Sequence, residues 1–504
     1  MDRTAILGNR RGFLTGAAAT AASVLAAPSG MRANAAPASQ VGQWSPVYNW
    51  PCVAIHLHLL PNGKILTWAD DDATFPTRAA DFSKAFVVSI PNNKAPATTV
   101  TEVDNQVTNL FCAGHAFLPD GRLLVVGGHE GAQYVGSADT TIFDPATYSW
   151  QTRTDAPMFG GRWYASALTL GNGEVVVLSG TRTAQGDFNP LPQVWETGKG
   201  GGWRNLITAQ LPIPFYPSLF LAPDGRVYCS GSQQATRFLD TAGTGKWTTG
   251  PKRTFGERFY GASVMYDEAK ILMAGGGNPP TATAEVIDLA AAAPAWKATG
   301  SMAFARRHCT AVVLPDGKVL VVNGSASPGN DAAMAVLAAE MWFPGTGKWA
   351  TMASMAVKRL YHSTAMLLPD GRVLVAGGGR PKAIHGGADN ANAEIFSPPY
   401  LFQGPRPTIT AAPTSVTYGD KVLVATPDAA SIDKVRLLRL GSVTHTVNMN
   451  QRAKVLAFQR QSGKLKLTVP SDPNVLPPGH YMLFVLRAGV PSVAKIIQIK
   501  LPTV

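Results

Sequence analysis

The sequence is poor in cysteine and in charge. Its 504 residues include four cysteines, Cys52, Cys112, Cys229 and Cys309, and Asp, Glu, Lys and Arg make up 15% of the chain. Four scattered cysteines with no Cys-x-x-Cys pair are too few for a disulfide framework. The net charge of +12 comes without a Lys/Arg-rich run or aromatic–basic interleaving, so we expect no nucleic-acid partner.

Long apolar runs are also scarce, and we expect no membrane span. Near the N-terminus, Arg10 and Arg11 precede Phe13-Leu14, an Ala-rich stretch and a small-residue site at 33–35. This pattern predicts a twin-arginine signal peptide over residues 1–35, with an uncleaved amphipathic tail as the alternative. We therefore expect a periplasmic or secreted protein, a monomer that could be attracted to an anionic cell-envelope polysaccharide.

What the sequence has in abundance is glycine (50 residues), proline (38 residues) and one repeated pattern. The pattern is an apolar strand, a turn such as Pro-Asp-Gly, a second apolar strand and a run of glycines. Its copies lie at 58–68, 115–128, 167–180, 219–231, 263–277, 311–324 and 359–379. Their spacing of about 50 residues is the kelch period.

A second pattern, a strand and a turn ending in Trp, follows most glycine runs. Four strands per copy and seven copies predict an all-β fold with a seven-bladed kelch-type β-propeller over residues 41–402. A flat β-sandwich carrying the same repeat is the alternative. After residue 404 the sequence changes to short alternating strands, which predict a C-terminal immunoglobulin-like (early set) β-sandwich over residues 405–504.

The segments that precede the inner strands of a propeller meet around its axis. We therefore compare the unusual residues that lie just before the first strand in each copy of the repeat. They are Cys112 in the second copy, Tyr164 in the third, His308 in the sixth, and Tyr361 and His362 in the seventh. These side chains converge in space if the propeller forms, although they are far apart in sequence. A buried Tyr or His that serves the core is the alternative interpretation of each.

His445 lies in a polar segment of the predicted sandwich that could reach a neighbouring element. Two imidazoles and phenolate oxygens are a ligand set that suits copper(II). His56 and His58 are interpreted as core or rim residues, whereas His115 could lie near the axis, and the roles of all three stay open.

Several motifs occur together and in order along the chain. They are Phe-Cys-x-Gly at 111–114, Arg-Trp-Tyr at 162–164, Tyr-His-Ser at 361–363, Ser-Pro-Pro-Tyr-Leu at 397–401, Val-Thr-His-Thr-Val-Asn-x-x-Gln-Arg at 443–452 and Gly-Val-Pro-Ser-Val-Ala at 489–494. With these motifs the chain resembles the copper radical oxidases of the galactose oxidase/glyoxal oxidase family. The resemblance covers nearly the whole chain after the signal peptide.

The resemblance implies one copper ion with Tyr164, His362 and His445 as equatorial ligands and Tyr361 as the axial ligand. It implies a thioether bond between Cys112 and the Tyr164 ring, which makes a self-derived Tyr–Cys radical cofactor. It further implies that Tyr361 acts as the general base. The expected activity is oxidation of aldehydes (as hydrates) or primary alcohols by O2, with H2O2 as the second product.

Two departures place the chain closer to the glyoxal oxidase branch. In galactose oxidase a Trp stacks over the cross-linked Tyr, but the comparable stretch here is 179–183 and has no Trp. Phe215 and Tyr216 occupy the segment of its galactose-binding arginine. We therefore do not expect galactose as substrate. A non-catalytic kelch-propeller binding module for envelope glycans is the alternative function.

Overall fold

The computed structural model describes residues 36–69, 82–90, 99–131, 133–379 and 388–502. The predicted signal peptide at 1–35 lies outside these residues and stays a prediction. Among the described residues, no helix is long and apolar enough to cross a membrane.

Seven antiparallel sheets surround a common axis, and within each the strands follow one another from the axis outward. We number them as blades one to seven. The strands, blade by blade, are His56–Leu59, Ile65–Trp68, Ala85–Ser89 and Thr99–Glu102; Gly114–Phe117, Leu123–Val126, Thr140–Asp144 and Ser149–Thr152; Trp163–Thr169, Val175–Thr181, Gln193–Trp195 and Trp203–Asn205; Leu219–Leu221, Val227–Cys229, Arg237–Asp240 and Lys246–Thr249; Ala262–Asp267, Lys270–Ala274, Ala284–Asp288 and Lys297–Thr299; Thr310–Val313, Val319–Val322, Ala338–Phe343 and Lys348–Ser354; Ser363–Leu367, Val373–Gly377 and Asn392–Ser397. The predicted fold class is confirmed.

The Pro-Asp-Gly pattern makes the turn between the first two strands of a blade. In blade two, Gly121 has φ +95°, a value that a residue with a Cβ rarely adopts. The Asp120 carboxylate accepts a hydrogen bond from the Arg122 backbone N–H at 3.0 Å and pairs with its guanidinium at 2.7 Å. Asp370 and Arg372 repeat the arrangement in blade seven. An Asp side chain that accepts a hydrogen bond from the backbone N–H two residues later stabilises a turn. This explains why the copies of the repeat keep the order Pro-Asp-Gly.

Two short N-terminal strands close the ring of blades. Gln43–Trp44 and Tyr48–Asn49 pair with Asn392–Ser397 of blade seven, with Gln43 opposite Ser397. A short helix, Ala38–Val41, precedes them. The outer edge of blade seven is therefore built from both ends of the propeller chain, which ties the first residues of the propeller to the last.

Buried arginines hold the loops that lead into the inner strands. Arg306 pairs with Glu340 of the third strand of its blade at 2.5 Å, and both side chains are fully buried. Arg359 pairs in the same way with Glu394 at 3.2 Å, and its guanidinium also donates to the Gly377 carbonyl at 2.9 Å. Each such arginine joins a loop near the axis to the middle of its own blade. The loops that carry the candidate site are fixed by these contacts.

The C-terminal region forms two further sheets that face each other across an apolar core. Their strands are Ser415–Thr417, Lys434–Arg439, Ala453–Leu456, Gly479–Arg487, Val490–Pro491 and Lys495–Lys500 in one sheet, and Lys421–Ala425, Phe458–Gln461 and Lys464–Thr468 in the other. The described 3-10 helices are Thr197–Lys199, Ala332–Met334, Pro399–Phe402 and Ala429–Ser431. The domain boundaries at 41–402 and 405–504 stay predictions.

One hairpin of the C-terminal region leaves the sandwich and joins blade one. Its strands, Ser442–Thr444 and Val447–Asn448, extend that blade on the axial side of His56–Leu59. Thr444 lies opposite His56, and Ser442 lies opposite His58. This pairing carries His445, at the tip of the hairpin, to the axis of the propeller.

Candidate metal centre

The loops that enter the inner strands present non-glycine residues with positive φ at equivalent positions. They are Cys112 (63°), Tyr164 (70°), Tyr216 (40°), Tyr260 (58°), His308 (59°) and His362 (64°). A residue with a Cβ is strained in this conformation by about 1–3 kcal/mol, and such strain clusters at functional sites. Six consecutive blades therefore maintain an unfavourable backbone at one end of the axis.

Backbone hydrogen bonds link these positions from blade to blade. The Tyr164 N–H donates to the Cys112 carbonyl at 2.8 Å, and the Tyr216 N–H donates to the Tyr164 carbonyl at 2.9 Å. The His308 N–H donates to the Tyr260 carbonyl at 2.8 Å. The strained conformation is thus part of a regular contact between neighbouring blades, and it brings the side chains of different blades to one place.

The structure brings all five predicted site residues together. The hydroxyls of Tyr164 and Tyr361 are in direct hydrogen-bond contact. The Tyr361 and His362 rings stack with centroids 4.0 Å apart, and the His362 and His445 rings meet edge to face at 4.5 Å. The Cys112 Sγ lies 3.6 Å from His445 Nε2. All five side chains are buried.

The donor set fits copper(II). His362 Nδ1 donates to the Gly379 carbonyl at 2.8 Å, so its Nε2 carries the lone pair that a metal requires. His445 Nδ1 contacts the Thr444 hydroxyl at 2.7 Å, and its Nε2 faces the cluster. With Tyr164 and Tyr361 the site offers two imidazole nitrogens and two phenol oxygens, which are ligands that copper(II) accepts in tetragonal geometry.

Burial raises the pKa of both phenols. The pKa of Tyr164 lies well above its ordinary value, first because of desolvation and then because of repulsion from Cys112 and Tyr361. The pKa of Tyr361 is raised by desolvation and next by Tyr260. Both phenols are therefore neutral when no cation is bound, and a bound cation is the influence that favours their deprotonation.

Aromatic rings surround Tyr164 on several sides. The ring centroids of Trp163, Phe215 and Tyr216 lie 3.8, 5.1 and 4.6 Å from that of Tyr164. The corresponding interplanar angles are 82°, 55° and 78°. These neighbours are edge-to-face or tilted, so none of them reproduces a parallel stack. Arg182, from the stretch without a Trp, pairs with Asp187 at the surface instead. The sequence alone does not show that Phe215 and Tyr216 lie against Tyr164, because they come from the next blade.

A cavity of about 300 Å³ opens above the cluster, with Tyr164, Tyr361, His362 and His445 in its lining. Most of its remaining wall is aromatic or small. Its volume matches a small-molecule ligand.

The wall of the cavity includes the cation Arg307. Arg307 is 8% exposed, and its guanidinium lies 4.8 Å over the Tyr260 ring and donates to the Pro328 carbonyl. Among the described residues, no carboxylate lies within ion-pair distance of Arg307, whereas Arg306 beside it is paired with Glu340. Arg307 and Tyr260 were not among the site residues predicted from the sequence. Tyr260 lies at the entry to the inner strand of its blade, as Cys112, Tyr164 and His362 do in theirs.

The remaining histidines divide into two groups. His308 lies against Tyr361, with ring centroids 5.1 Å apart, and belongs to the cavity wall. His56, His58 and His115 form a separate buried cluster beside the candidate centre, next to the axis. The burial of His56 and His58 agrees with their interpretation as core or rim residues. The mutual contact of the three histidines was not predicted.

Comparison with known proteins agrees with this geometry. The family model described as glyoxal oxidase N-terminus matches residues 94–400, and the model described as galactose oxidase-like, early set domain, matches residues 406–499.

Individual relatives match over most of the chain. A galactose oxidase from Gibberella zeae is 30% identical over 506 residues, covering 92% of this chain and 71% of the relative. An aldehyde oxidase from Vitis pseudoreticulata is 29% identical over 444 residues, covering 78% of this chain and 82% of the relative. A solved structure of a fungal alcohol oxidase in complex with copper superimposes with a TM-score of 0.80 at 26% identity, covering 91% of this chain and all of that one.

Proposed function

Because the chain belongs to the galactose oxidase/glyoxal oxidase family of copper radical oxidases, it is an oxidoreductase, and we propose that it oxidises small aldehydes (as hydrates) or primary alcohols with O2, giving H2O2. The observation that carries the proposal is the convergence of Cys112, Tyr164, Tyr361, His362 and His445, of which the two tyrosines and the two histidines line one cavity. In the proposal Tyr164, Tyr361, His362 and His445 hold copper. Cys112 and Tyr164 form the thioether-linked pair.

The reaction removes two electrons and two protons from the substrate and transfers them to O2. Copper held by Tyr164, Tyr361, His362 and His445 would supply a Lewis-acid position for the substrate oxygen and would accept one of the electrons, and the Tyr164–Cys112 pair would accept the other. The Tyr361 Oη, in hydrogen-bond contact with the Tyr164 hydroxyl, would hold the proton of the substrate hydroxyl. The aromatic wall around Tyr164 excludes water from the pair.

Arg307 narrows the substrate class. A buried guanidinium in a cavity wall is well suited to bind a carboxylate, because it offers several N–H donors and a positive charge. We therefore propose that an aldehyde or hydrated aldehyde bearing a carboxylate is a better substrate than an uncharged one of equal size. The aromatic face of Tyr260 beneath the guanidinium keeps it in place in the wall.

Export by the twin-arginine route and a periplasmic or secreted location also stay proposals. Their support is the pattern at Arg10 and Arg11, together with a site that assembles from the folded chain. The expected partners are the small-molecule substrate and O2.

A peroxide-coupled assay of copper-loaded protein over aldehydes, alcohols and sugars tests the activity. We expect H2O2 from small aldehydes or alcohols and loss of that signal in Cys112→Ser and in His362→Gln. A glycan-binding propeller without catalysis gives no peroxide with any substrate, and its copper affinity is the same with and without Cys112. That pair of results would refute the proposal.

A further inference from the structure

The second cluster of histidines lies where blades one and two meet the hairpin from the C-terminal region. His56 and His58 come from the inner strand of blade one, and His115 comes from the inner strand of blade two. All three are fully buried, and one ring nitrogen of each lies within 4.8 Å of those of the other two. Trp68 stacks against both His56 and His58, with centroids 4.7 and 4.5 Å away. We call these three residues the histidine trio.

In each ring of the trio one nitrogen makes a hydrogen-bond contact, and the other has no partner within the part of the chain that the structure describes. Ser442 Oγ contacts His58 Nδ1 at 2.9 Å and His115 Nδ1 at 2.6 Å. His56 Nε2 accepts the Cys112 backbone N–H at 3.2 Å. His56 Nδ1, His58 Nε2 and His115 Nε2 have no hydrogen-bond partner among the described residues. Buried polar atoms in this state are rare, and three in one cluster call for a ligand.

We infer that the histidine trio binds one copper(I) ion, at a site separate from the candidate centre. Neutral imidazole nitrogens are good ligands for copper. No Asp, Glu or Cys of the described residues joins the cluster, so the ligands bring no negative charge into a fully buried site. The cost of burying an ion rises steeply with its charge, which favours a monovalent over a divalent metal.

Ser442 supplies the outer contact that such a site needs. A histidine that binds a metal donates its other ring N–H to a nearby acceptor, which sets the tautomer and the ring orientation. A serine oxygen has two lone pairs and can accept from both His58 Nδ1 and His115 Nδ1. In that arrangement both Nε2 atoms carry the lone pairs that the metal takes.

His56 is the weakest of the three ligands. Because its Nε2 accepts the Cys112 N–H, a neutral His56 carries its proton on Nδ1. A metal can bind neutral His56 at Nδ1 only if that proton moves to Nε2, which gives up the hydrogen bond from Cys112. Metal binding by the trio therefore depends first on His58 and His115. A water molecule that accepts from His56 Nδ1–H and donates to a neighbouring imidazole is the competing occupant.

The trio lies close to the candidate centre without sharing a predicted ligand. The rings of His56 and His445 have centroids 5.9 Å apart, and His56 holds the backbone of Cys112. A chain that binds copper at both places holds two ions. The inference rests on the trio's own contacts and stands whether or not the proposed oxidase activity is found.

Copper counting tests the inference. We propose to load His362→Gln, which weakens the candidate centre, with copper(I) under anaerobic conditions and to measure bound copper per chain after desalting. The inference predicts one bound copper in His362→Gln, none in His362→Gln/His58→Gln, and one in the matched control His362→Gln/His480→Gln, which removes a half-buried histidine elsewhere. X-ray absorption of the single variant should show two or three nitrogen neighbours at about 2.0 Å.

Other results would overturn the inference. If folded His362→Gln binds no copper, the trio holds water. If the His58→Gln double variant keeps its copper, the metal lies elsewhere. Should that variant lose its circular dichroism signal, Ser442→Ala in the His362→Gln background replaces it. There the inference predicts copper(I) affinity 10- to 100-fold lower, and unchanged affinity contradicts it.

Discussion

The hydroxyls of Tyr164 and Tyr361 share a hydrogen bond although 197 residues separate them in the chain. One phenol comes from blade three and the other from blade seven, and both are buried. Two phenols in contact do not ionise independently, because the first phenolate repels the second. When a cation is bound, the geometry therefore favours one phenolate and one proton-bearing phenol, which is the division of roles that the proposed oxidation needs.

Removal of the Tyr361 hydroxyl tests this division. We expect Tyr361→Phe to lower kcat for aldehyde oxidation about 10²- to 10⁴-fold, the usual contribution of a positioned acid–base group. The measurement is steady-state peroxide production by copper-loaded protein. Tyr228→Phe is the matched control, because it removes a buried hydroxyl of blade four that accepts from Trp296 far from the cavity. Equal rates for wild type and Tyr361→Phe would contradict the assignment.

Arg307 should separate charged from uncharged substrates. A hydrogen bond to a charged group contributes about 1.5–3 kcal/mol, so Arg307→Ala should lower kcat/KM for a carboxylate-bearing aldehyde about 10- to 100-fold. For an uncharged aldehyde of similar size we expect little change. Arg307→Lys keeps the charge and loses the planar guanidinium. Its kcat/KM for the carboxylate-bearing aldehyde should lie between those of the wild type and Arg307→Ala. An equal loss on both substrates would show that Arg307 acts through packing.

The buried pair Arg306–Glu340 should be important for the stability of blade six. Glu340→Ala leaves the Arg306 guanidinium buried without its carboxylate, which costs about 3–5 kcal/mol. Glu340→Gln should cost less, because blade three already uses Gln193 as the partner of Arg162, at 3.0 Å. Urea unfolding monitored by circular dichroism measures both. Similar midpoints for the alanine and glutamine variants would argue against the pair.

The histidine trio should make the metal-free protein sensitive to acid. Burial lowers the pKa of His115 to about 3, whereas histidine in an unfolded chain titrates near 6.5. Between these values the unfolded state binds a proton that the folded state does not. The free energy of unfolding should therefore fall with falling pH by about 1.4 kcal/mol per unit for this residue.

The test compares how the free energy of unfolding changes with pH in the wild type and in His115→Gln, both treated with a chelator. The variant should lose part of the slope between about pH 6.5 and pH 4. Parallel slopes would mean that His115 is already protonated in the folded protein, or that it titrates equally in both states.

The repeat predicted the propeller and made Cys112, Tyr164, Tyr361 and His362 candidates together with His308. The family resemblance then implied the set of five residues that includes His445. The repeat shows that Cys112, Tyr164 and His362 occupy equivalent positions, and in a propeller equivalent positions converge. Tyr260 occupies the same position in blade five, but it precedes a degenerate copy of the repeat, in which the position is harder to recognise. Position within the repeat therefore identifies more residues of the site than the repeated sequence motifs do.

Other contacts could not be predicted from the sequence because they join distant segments by tertiary packing. Ser442 meets His58 and His115 because the hairpin extends blade one, and no pattern in either segment specifies that pairing. That no carboxylate of the described residues lies beside Arg307 is likewise a property of the folded cavity wall.

The Cys112–Tyr164 bond tests the central claim most directly. Its formation removes two hydrogen atoms from the chain and joins two peptides that are otherwise separate after proteolysis. Mass spectrometry of copper-loaded, aerobically matured protein should find one linked peptide containing Cys112 and Tyr164, and Cys112→Ser should lack it. Finding the two peptides separate, with unmodified masses, in fully copper-loaded protein would contradict the account.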